Sequence, residues 1–197
     1  MELSQIFLAA QREFSERVHA ITEDQWSAPT PDTDWTVTDL VDHLIDEHRY
    51  FPPLLHGLDL ASAEEVVAGA RSLPVDGGVG SNHAELWDEA AAGSADPIVE
   101  PDALQRSVAL SRGATPAEQY AVEMSMDLII HSWDLGRAIG HDQALPAELA
   151  EWGYHQARDW GDVSGSEYFG PPVSVPDDAS AEDKLMGLTG RDPGWRA

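Results

Sequence analysis

Residues 120–140, YAVEMSMDLIIHSWDLGRAIG, decide the fold. Plotted at about 100° per residue, they form a long helix that is apolar nearly all round. Ala121, Met124, Leu128, Leu135 and Ile139 lie on one flank, and Val122, Met126, Ile130 and Trp133 on the other. The remaining side offers only Ser125, Ile129, Ser132 and Gly136. Such a helix is a buried one. Yet Glu123, Asp127, His131 and Asp134 share one stripe along it. Buried charges must be paired or coordinate a metal, so this stripe is the functional lead.

Outward from this helix, Pro116 fits a first helical turn with Thr115 as its N-cap, and Gly140 fits a C′ glycine. Upstream, residues 98–115 alternate loosely around a Gly113 turn, as a short extended piece or a loop. Residues 83–92 resume a helical pattern with Leu86 and Trp87 inward, stopped by GSADP at 93–97. Residues 61–73 suit a helix, and 74–82 a turn-rich connector. Downstream, 146–160 is a helix with Leu149, Trp152, Gly153, Gln156 and Trp160 inward. FGPPVSVPDD at 169–178 is an extended proline-rich arm, and 181–189 a last short helix.

Near the start, residues 3–21 place Ile6, Phe7, Ala10, Phe14, Arg17 and Val18 at helical spacing. A loop follows, with Trp26 and Trp35 at its ends read as anchors on the core. Thr36 and Asp39 form a capping box for a second helix from Val37 to about Tyr50, which Pro52-Pro53 ends. His43 lies between Leu40 and Leu44 on its inner face, with Glu47 one turn on. Alone it reads as a satisfied core histidine; His131, a second inward imidazole, makes it a candidate ligand. His48 and His56 fall off this face and read as surface residues.

Composition narrows the classes. The chain of 197 residues suits one domain spanning 1–197, with a core large enough to need no staples. With no cysteine there is no disulfide, thiolate zinc site or Cys nucleophile. A formal charge of −25, with Lys184 the only lysine, argues against nucleic acid, which needs a basic footprint, and reads as a solubility or salt adaptation of the surface. No apolar run reaches the length of a membrane span, and the N-terminus lacks the basic start of a signal peptide, so a soluble, cytoplasmic protein is expected. Four principal helices with little strand signal give an all-α bundle with long connections, whose sites are built from facing helices.

Asp127 and His131, at i and i+4, lie about 6 Å apart on one helix face. His43 from a facing helix completes a set of two imidazoles and one carboxylate. Three protein ligands leave an open position for water or substrate. Without thiolates the candidate ions are Zn²⁺, Ni²⁺, Fe²⁺ and Mn²⁺, among which ligand type alone does not choose; zinc is placed first. The competing interpretation is a buried Asp–His ion pair. Glu123 and Asp134 are candidates for a proton carrier or an orienting partner of an imidazole, and Arg137 for the neutraliser of excess carboxylate.

Three motifs then point to a family: DLVDHL at 39–44, the W-x-x-P-T-P-x-T-D-W loop from Trp26, and HSWDLGRAIG at 131–140. Together they resemble the DinB/YfiT-like four-helix bundles, nearest the actinobacterial branch related to the N-terminal domain of mycothiol-dependent maleylpyruvate isomerase. The tail from Phe169 resembles the end of that branch's short, single-domain members. The resemblance implies a metal held at His43, Asp127 and His131. It also implies a low-molecular-weight thiol such as mycothiol, activated as thiolate on the metal for attack on an electrophilic substrate. Asp127 stands where the branch usually has Glu, a methylene longer. The isomerase carries a further C-terminal domain and this chain ends without it, so maleylpyruvate isomerisation itself is not carried over. The expectation is a metal-binding, thiol-dependent transferase or isomerase, monomeric or homodimeric. The alternative is a non-catalytic metal- or small-molecule-binding bundle acting in stress response.

Overall fold

The computed structural model describes residues 1–32, 34–71, 83–141, 143–161 and 169–197. Among these, four helices close a ring: α1 (Leu3–Val18), α2 (Val37–Leu55), α4 (His83–Val99) and α5 (Ala117–Ile139). In the ring α1 packs on α5, α5 on α2, α2 on α4 and α4 on α1. The helix α3 (Leu60–Arg71) lies against α2, while α6 (Ala147–Trp160) leans on α5 and is backed by α7 (Ala181–Leu188). The all-α bundle expected from the pattern is the architecture observed.

Each ring helix buries one stripe, and α5 nearly all of itself. Leu128, Ile129 and Leu135 are fully covered, as are Ser125, Ser132 and Asp134 on the same helix. From α1 come Phe7, Ala10 and Phe14, and from α2 Leu40, Val41, Leu44 and Phe51, all without exposed surface. Phe7 stacks on Phe51, with ring centroids 5.0 Å apart, and Phe14 meets Trp87 edge-on at 4.6 Å. The capping box at the start of α2 is present: the Thr36 hydroxyl accepts from Asp39 N–H, and Asp39 Oδ2 accepts from Thr36 N–H at 2.8 Å.

Several boundaries differ from the expectations. Pro52 and Pro53 sit inside α2 rather than ending it, because helical bonding resumes one turn on, where His56 N–H donates to Pro52 O at 3.0 Å. Likewise Gly93–Pro97 does not stop α4. Trp87, Ala90, Ala91, Ser94, Pro97 and Ile98 form one buried stripe, and tertiary burial outweighs the local breakers. The extended piece is a hairpin of β1 (Ser107–Leu110) and β2 (Gly113–Pro116), antiparallel, pairing Val108 with Thr115. Thr115 therefore belongs to β2, and Pro116 takes the N-cap position of α5. Gly140 closes α5 in the left-handed conformation expected of it, at φ 69°. The connector expected at 74–82 lies outside the described residues.

His48 is the largest correction. It was expected at the surface and has no exposed area. Its Nδ1 lies 2.7 Å from Ser94 Oγ, and its ring meets Trp87 edge-on at 4.9 Å. The helix α2 is covered by both α1 and α4, so its buried arc is wider than the His43 face alone.

The proline-rich stretch from Phe169 to Pro176 forms no helix or strand and runs along α7, where Val173 N–H donates to Gly187 O at 2.9 Å. Gly190 has a φ of +81°, and a Cβ there would stand 2.8 Å from the Gly170 backbone. Only glycine permits that crossing. It directs the last residues back toward α5.

Candidate metal centre

His43 on α2 and Asp127 and His131 on α5 converge. The two imidazoles take one carboxylate oxygen each: His43 Nε2 is 3.1 Å from Asp127 Oδ2, and His131 Nε2 is 3.3 Å from Asp127 Oδ1. The donor atoms of all three lie within 4.8 Å of one another. The i, i+4 spacing puts Asp127 and His131 on one face of α5, and the α2–α5 packing supplies the third group. His131 is buried, whereas the His43 and Asp127 side chains keep 29% and 30% of their surface exposed, so the cluster opens to solvent on one side.

His131 is held in a defined orientation. Its Nδ1–H donates to Asp134 Oδ2 at 2.9 Å, leaving Nε2 toward Asp127. Asp134 is wholly buried, and its charge is met by Arg191, whose Nη2 lies 3.0 Å from Oδ2 and whose Nε is 3.4 Å from Oδ1. Arg191 also binds Asp32 Oδ2 at 2.7 Å and the Thr189 carbonyl at 3.0 Å. Asp32, His131 and Asp134 thus also bring donor atoms within 4.8 Å. That second group already holds a guanidinium, so its charge is accounted for.

Burial would raise the Asp127 carboxyl and lower the His131 imidazole, but their mutual attraction, aided by His43 and Asp134, outweighs burial for both. Asp127 is held well below the carboxylate range, and His131 is pushed up to about 9. Asp134 is also lowered, against burial, by Arg191 and then by His131. Without an ion, the cluster is therefore an ionised Asp–His pair.

The donor chemistry fits a divalent ion. It comprises two imidazole nitrogens and a carboxylate, one imidazole already oriented by a carboxylate behind it as metal-ligating histidines are. An ion would take the place now held by the His131 Nε2 proton that faces Asp127.

Trp35, expected as a loop anchor like the buried Trp26, does more. Its ring centroid lies 4.9 Å from that of His43 and 5.6 Å from that of His131, stacked on the latter at 23°. The loop returns it through Asp34, at a left-handed φ of 76°, with Trp35 N–H donating to Asp32 O and Thr30 N–H to Trp35 O.

The other sequence candidates fall as follows. Glu123 faces away, binding Arg112 Nη2 at 2.5 Å and Gln119 Nε2 at 3.1 Å. Asp134 orients His131. Arg137 is not the neutraliser: its guanidinium lies over the Trp133 ring, 5.0 Å from the centroid, and Arg191 holds the role instead. Nothing in the sequence pairs Arg191 with Asp134, 57 positions away. Glu47 was also missed as a site residue, although it shares the inner face of α2 with His43. Its carboxyl is raised, by burial first and by the Asp127 charge second.

A sequence profile for the mycothiol maleylpyruvate isomerase N-terminal domain matches residues 7–136. Two Mycobacterium tuberculosis proteins, uncharacterized protein MT0763 of strain CDC 1551 and uncharacterized protein Rv0738 of strain H37Rv, are each 26% identical over 188 residues, covering 92% of this chain and 93% of their own. In crystal structures of mycothiol-dependent maleylpyruvate isomerase and of a mutant of it, the same fold recurs. The TM-scores are 0.59 and 0.58 at 17% and 16% identity, over 100% of this chain and 82% of those chains.

Proposed function

The chain belongs to the mycothiol maleylpyruvate isomerase N-terminal domain family, and on that premise we propose that it is a divalent-metal-binding, thiol-dependent transferase or isomerase. One observation carries the proposal: two imidazole nitrogens from different helices meet the two oxygens of one carboxylate on the partly open side of the bundle. His43, Asp127 and His131 would hold the ion, zinc being the best match to this donor set among Zn²⁺, Ni²⁺, Fe²⁺ and Mn²⁺. A bound ion would supply Lewis acidity that lowers the pKa of a thiol at its open position. The thiol would be mycothiol or another low-molecular-weight thiol, and the second substrate an electrophile.

The protein's own residues do the rest. Asp134 fixes the tautomer of His131, and Arg191 keeps Asp134 ionised and in place. Trp35 covers both imidazoles and limits their rotation. Glu47, whose carboxyl is raised by burial and by Asp127, is the proposed carrier of the thiol proton.

The test is elemental analysis of untagged protein purified without chelator, beside folded His43→Ala and His131→Ala. About one equivalent of metal in the wild type, lost from both variants, supports the site. No metal in the wild type and no uptake of Zn²⁺, Ni²⁺ or Mn²⁺ overturns it. Metal uptake without turnover of mycothiol and electrophiles would leave the non-catalytic binding protein as the reading.

A further inference from the structure

On the open side of the candidate metal centre, His43 and Asp127 are both partly exposed, and so is Asp32. Asp32 brings an oxygen within 4.8 Å of donor atoms of His131 and Asp134, so Asp32 and Asp127 flank the same imidazole. Glu47, one turn on from His43 along α2, lies in the field of Asp127, and Asp46 in turn acts on Glu47. What approaches the centre from solvent therefore meets carboxylates.

The positive charge that could offset them is committed. Arg191, 5% exposed, is shared between Asp134 and Asp32, and the Thr189 carbonyl takes a further N–H. Arg112, on the hairpin turn, pairs with Glu123, one turn before Asp127 on α5. Arg49 and Arg137, each six residues after one of the two histidines, stand about 120° round their helices from it. Arg196 is turned to the Trp195 carbonyl, and residues 26–36, the loop over the imidazoles, contain neither lysine nor arginine.

With a divalent ion held there, its two charges are matched by Asp127 and Asp32, and Arg191 matches Asp134. A thiolate then leaves the centre with net negative charge, even before Glu47 is counted. The cost of one more anion is already visible in Glu47, whose carboxyl is raised by burial first and then by the Asp127 charge. At an effective dielectric of about 20, repulsion between unit charges a few ångströms apart is worth on the order of tenfold or more in an equilibrium. Trp35, partly exposed and packed against both imidazoles, offers an uncharged reactant an aromatic surface at the same place.

We propose that this centre selects an uncharged electrophile as its second substrate and turns away carboxylate-bearing ones, with Asp32, Glu47 and Asp127 as the selecting groups. The inference rests on the thiol-dependent reading and names the class of substrate for it.

Paired alkylation of the chelated full chain tests it without metal, thiol or turnover. Iodoacetamide and iodoacetate each bond their carbon to an imidazole nitrogen with loss of iodide, and they differ by one negative charge. Rates at each histidine are read by peptide mass spectrometry, relative to N-acetylhistidine, in about 0.1 M salt, where charges beyond about 10 Å are screened. Both reagents meet the same imidazole, so its basicity cancels in the ratio. Iodoacetamide should react at His43 about tenfold faster than iodoacetate, or more. Exposed His19, paired with Asp88, should stay within about threefold of the free amino acid. Asp32→Asn, which frees part of the Arg191 charge, should lower the His43 ratio several-fold. A His43 ratio no larger than that of His19, or one that Asp32→Asn leaves unchanged, overturns the selection. No alkylation of His43 by iodoacetamide overturns it as well, since an uncharged electrophile then has no access to the centre. Metal content is measured separately, so a metal-free protein with the expected ratio would lose the thiol-dependent reading and keep the charge selection.

Discussion

Replacing Arg191 by Met separates the ionic roles of the C-terminal segment. Asp134 has no exposed surface and Arg191 only 5%, so the substitution leaves a carboxylate in the core with the His131 N–H as its one remaining partner among the described residues. Stranding one member of a buried pair costs about 3–5 kcal/mol. Asp32, 30% exposed, makes the other ion pair of the same guanidinium. Asp32→Asn, near solvent, should therefore cost less than about 1 kcal/mol. The double variant Arg191→Met with Asp134→Leu removes both buried charges and should recover most of the loss, giving a coupling energy of about 2 kcal/mol or more. The assay is the urea midpoint of the chelated protein by circular dichroism, with metal removed so that ligand binding does not enter. Arg191→Met costing no more than Asp32→Asn, or single costs that simply add, would refute the reasoning.

Further outcomes follow from the same geometry. Asp134→Asn should weaken zinc binding about 10–100-fold in a competition titration, because His131 loses the carboxylate that orients it; unchanged affinity would count against that role. Asp127→Glu should keep one equivalent of zinc and Asp127→Ala should lose it, as read by elemental analysis. In chelated protein, the contribution of His131, whose pKa is pushed up to about 9 by Asp127 against burial, is complete below pH 6.5 and is lost as pH rises through about 9. His48, pushed down to about 3 by burial, contributes fully above pH 6.5 and progressively less as pH falls toward 3. Urea midpoints should therefore peak near pH 6.5, and the alkaline decline should flatten in His131→Gln; a midpoint still climbing at pH 9 would contradict this. Gly190→Ala, forced into a φ of +81° against the Gly170 backbone, should cost about 1–3 kcal/mol.

How much the sequence told depends on whether a contact is periodic. Asp127 and His131 are one turn apart on a helix, and His43 lies on the inner face of another; two helical wheels and an expected bundle bring the three together. His48 was legible by the same rule but missed. It continues the Val41, Leu44, Ile45 stripe, and reading α2 as one-faced hid that stripe. Glu47 stood on the right face, and its burial, followed by the field of Asp127, distinguishes it from a solvated acid. Trp35 could be placed in a loop, but the turn at Asp34 that lays it over both imidazoles has no periodic signature. Arg191 had none either, since its partner is fixed by the path of the tail.

That path bears on what the functional unit is. The family profile ends at residue 136 and contains all three candidate ligands together with Asp134. The group that neutralises Asp134 comes from beyond it. Val173 N–H bonds Gly187 O, Gly190 crosses Gly170, and Arg191 N–H donates to Met186 O at 2.8 Å, so the arm and α7 form one packed unit that delivers the guanidinium. Removing residues after 188 would therefore not trim a loose end. It would expose Asp134 uncompensated, release the Asp32 side of the Trp35 loop, and loosen His131 from behind. Truncation should thus lower metal affinity and stability together, whereas a variant confined to the surface of α7 should change neither.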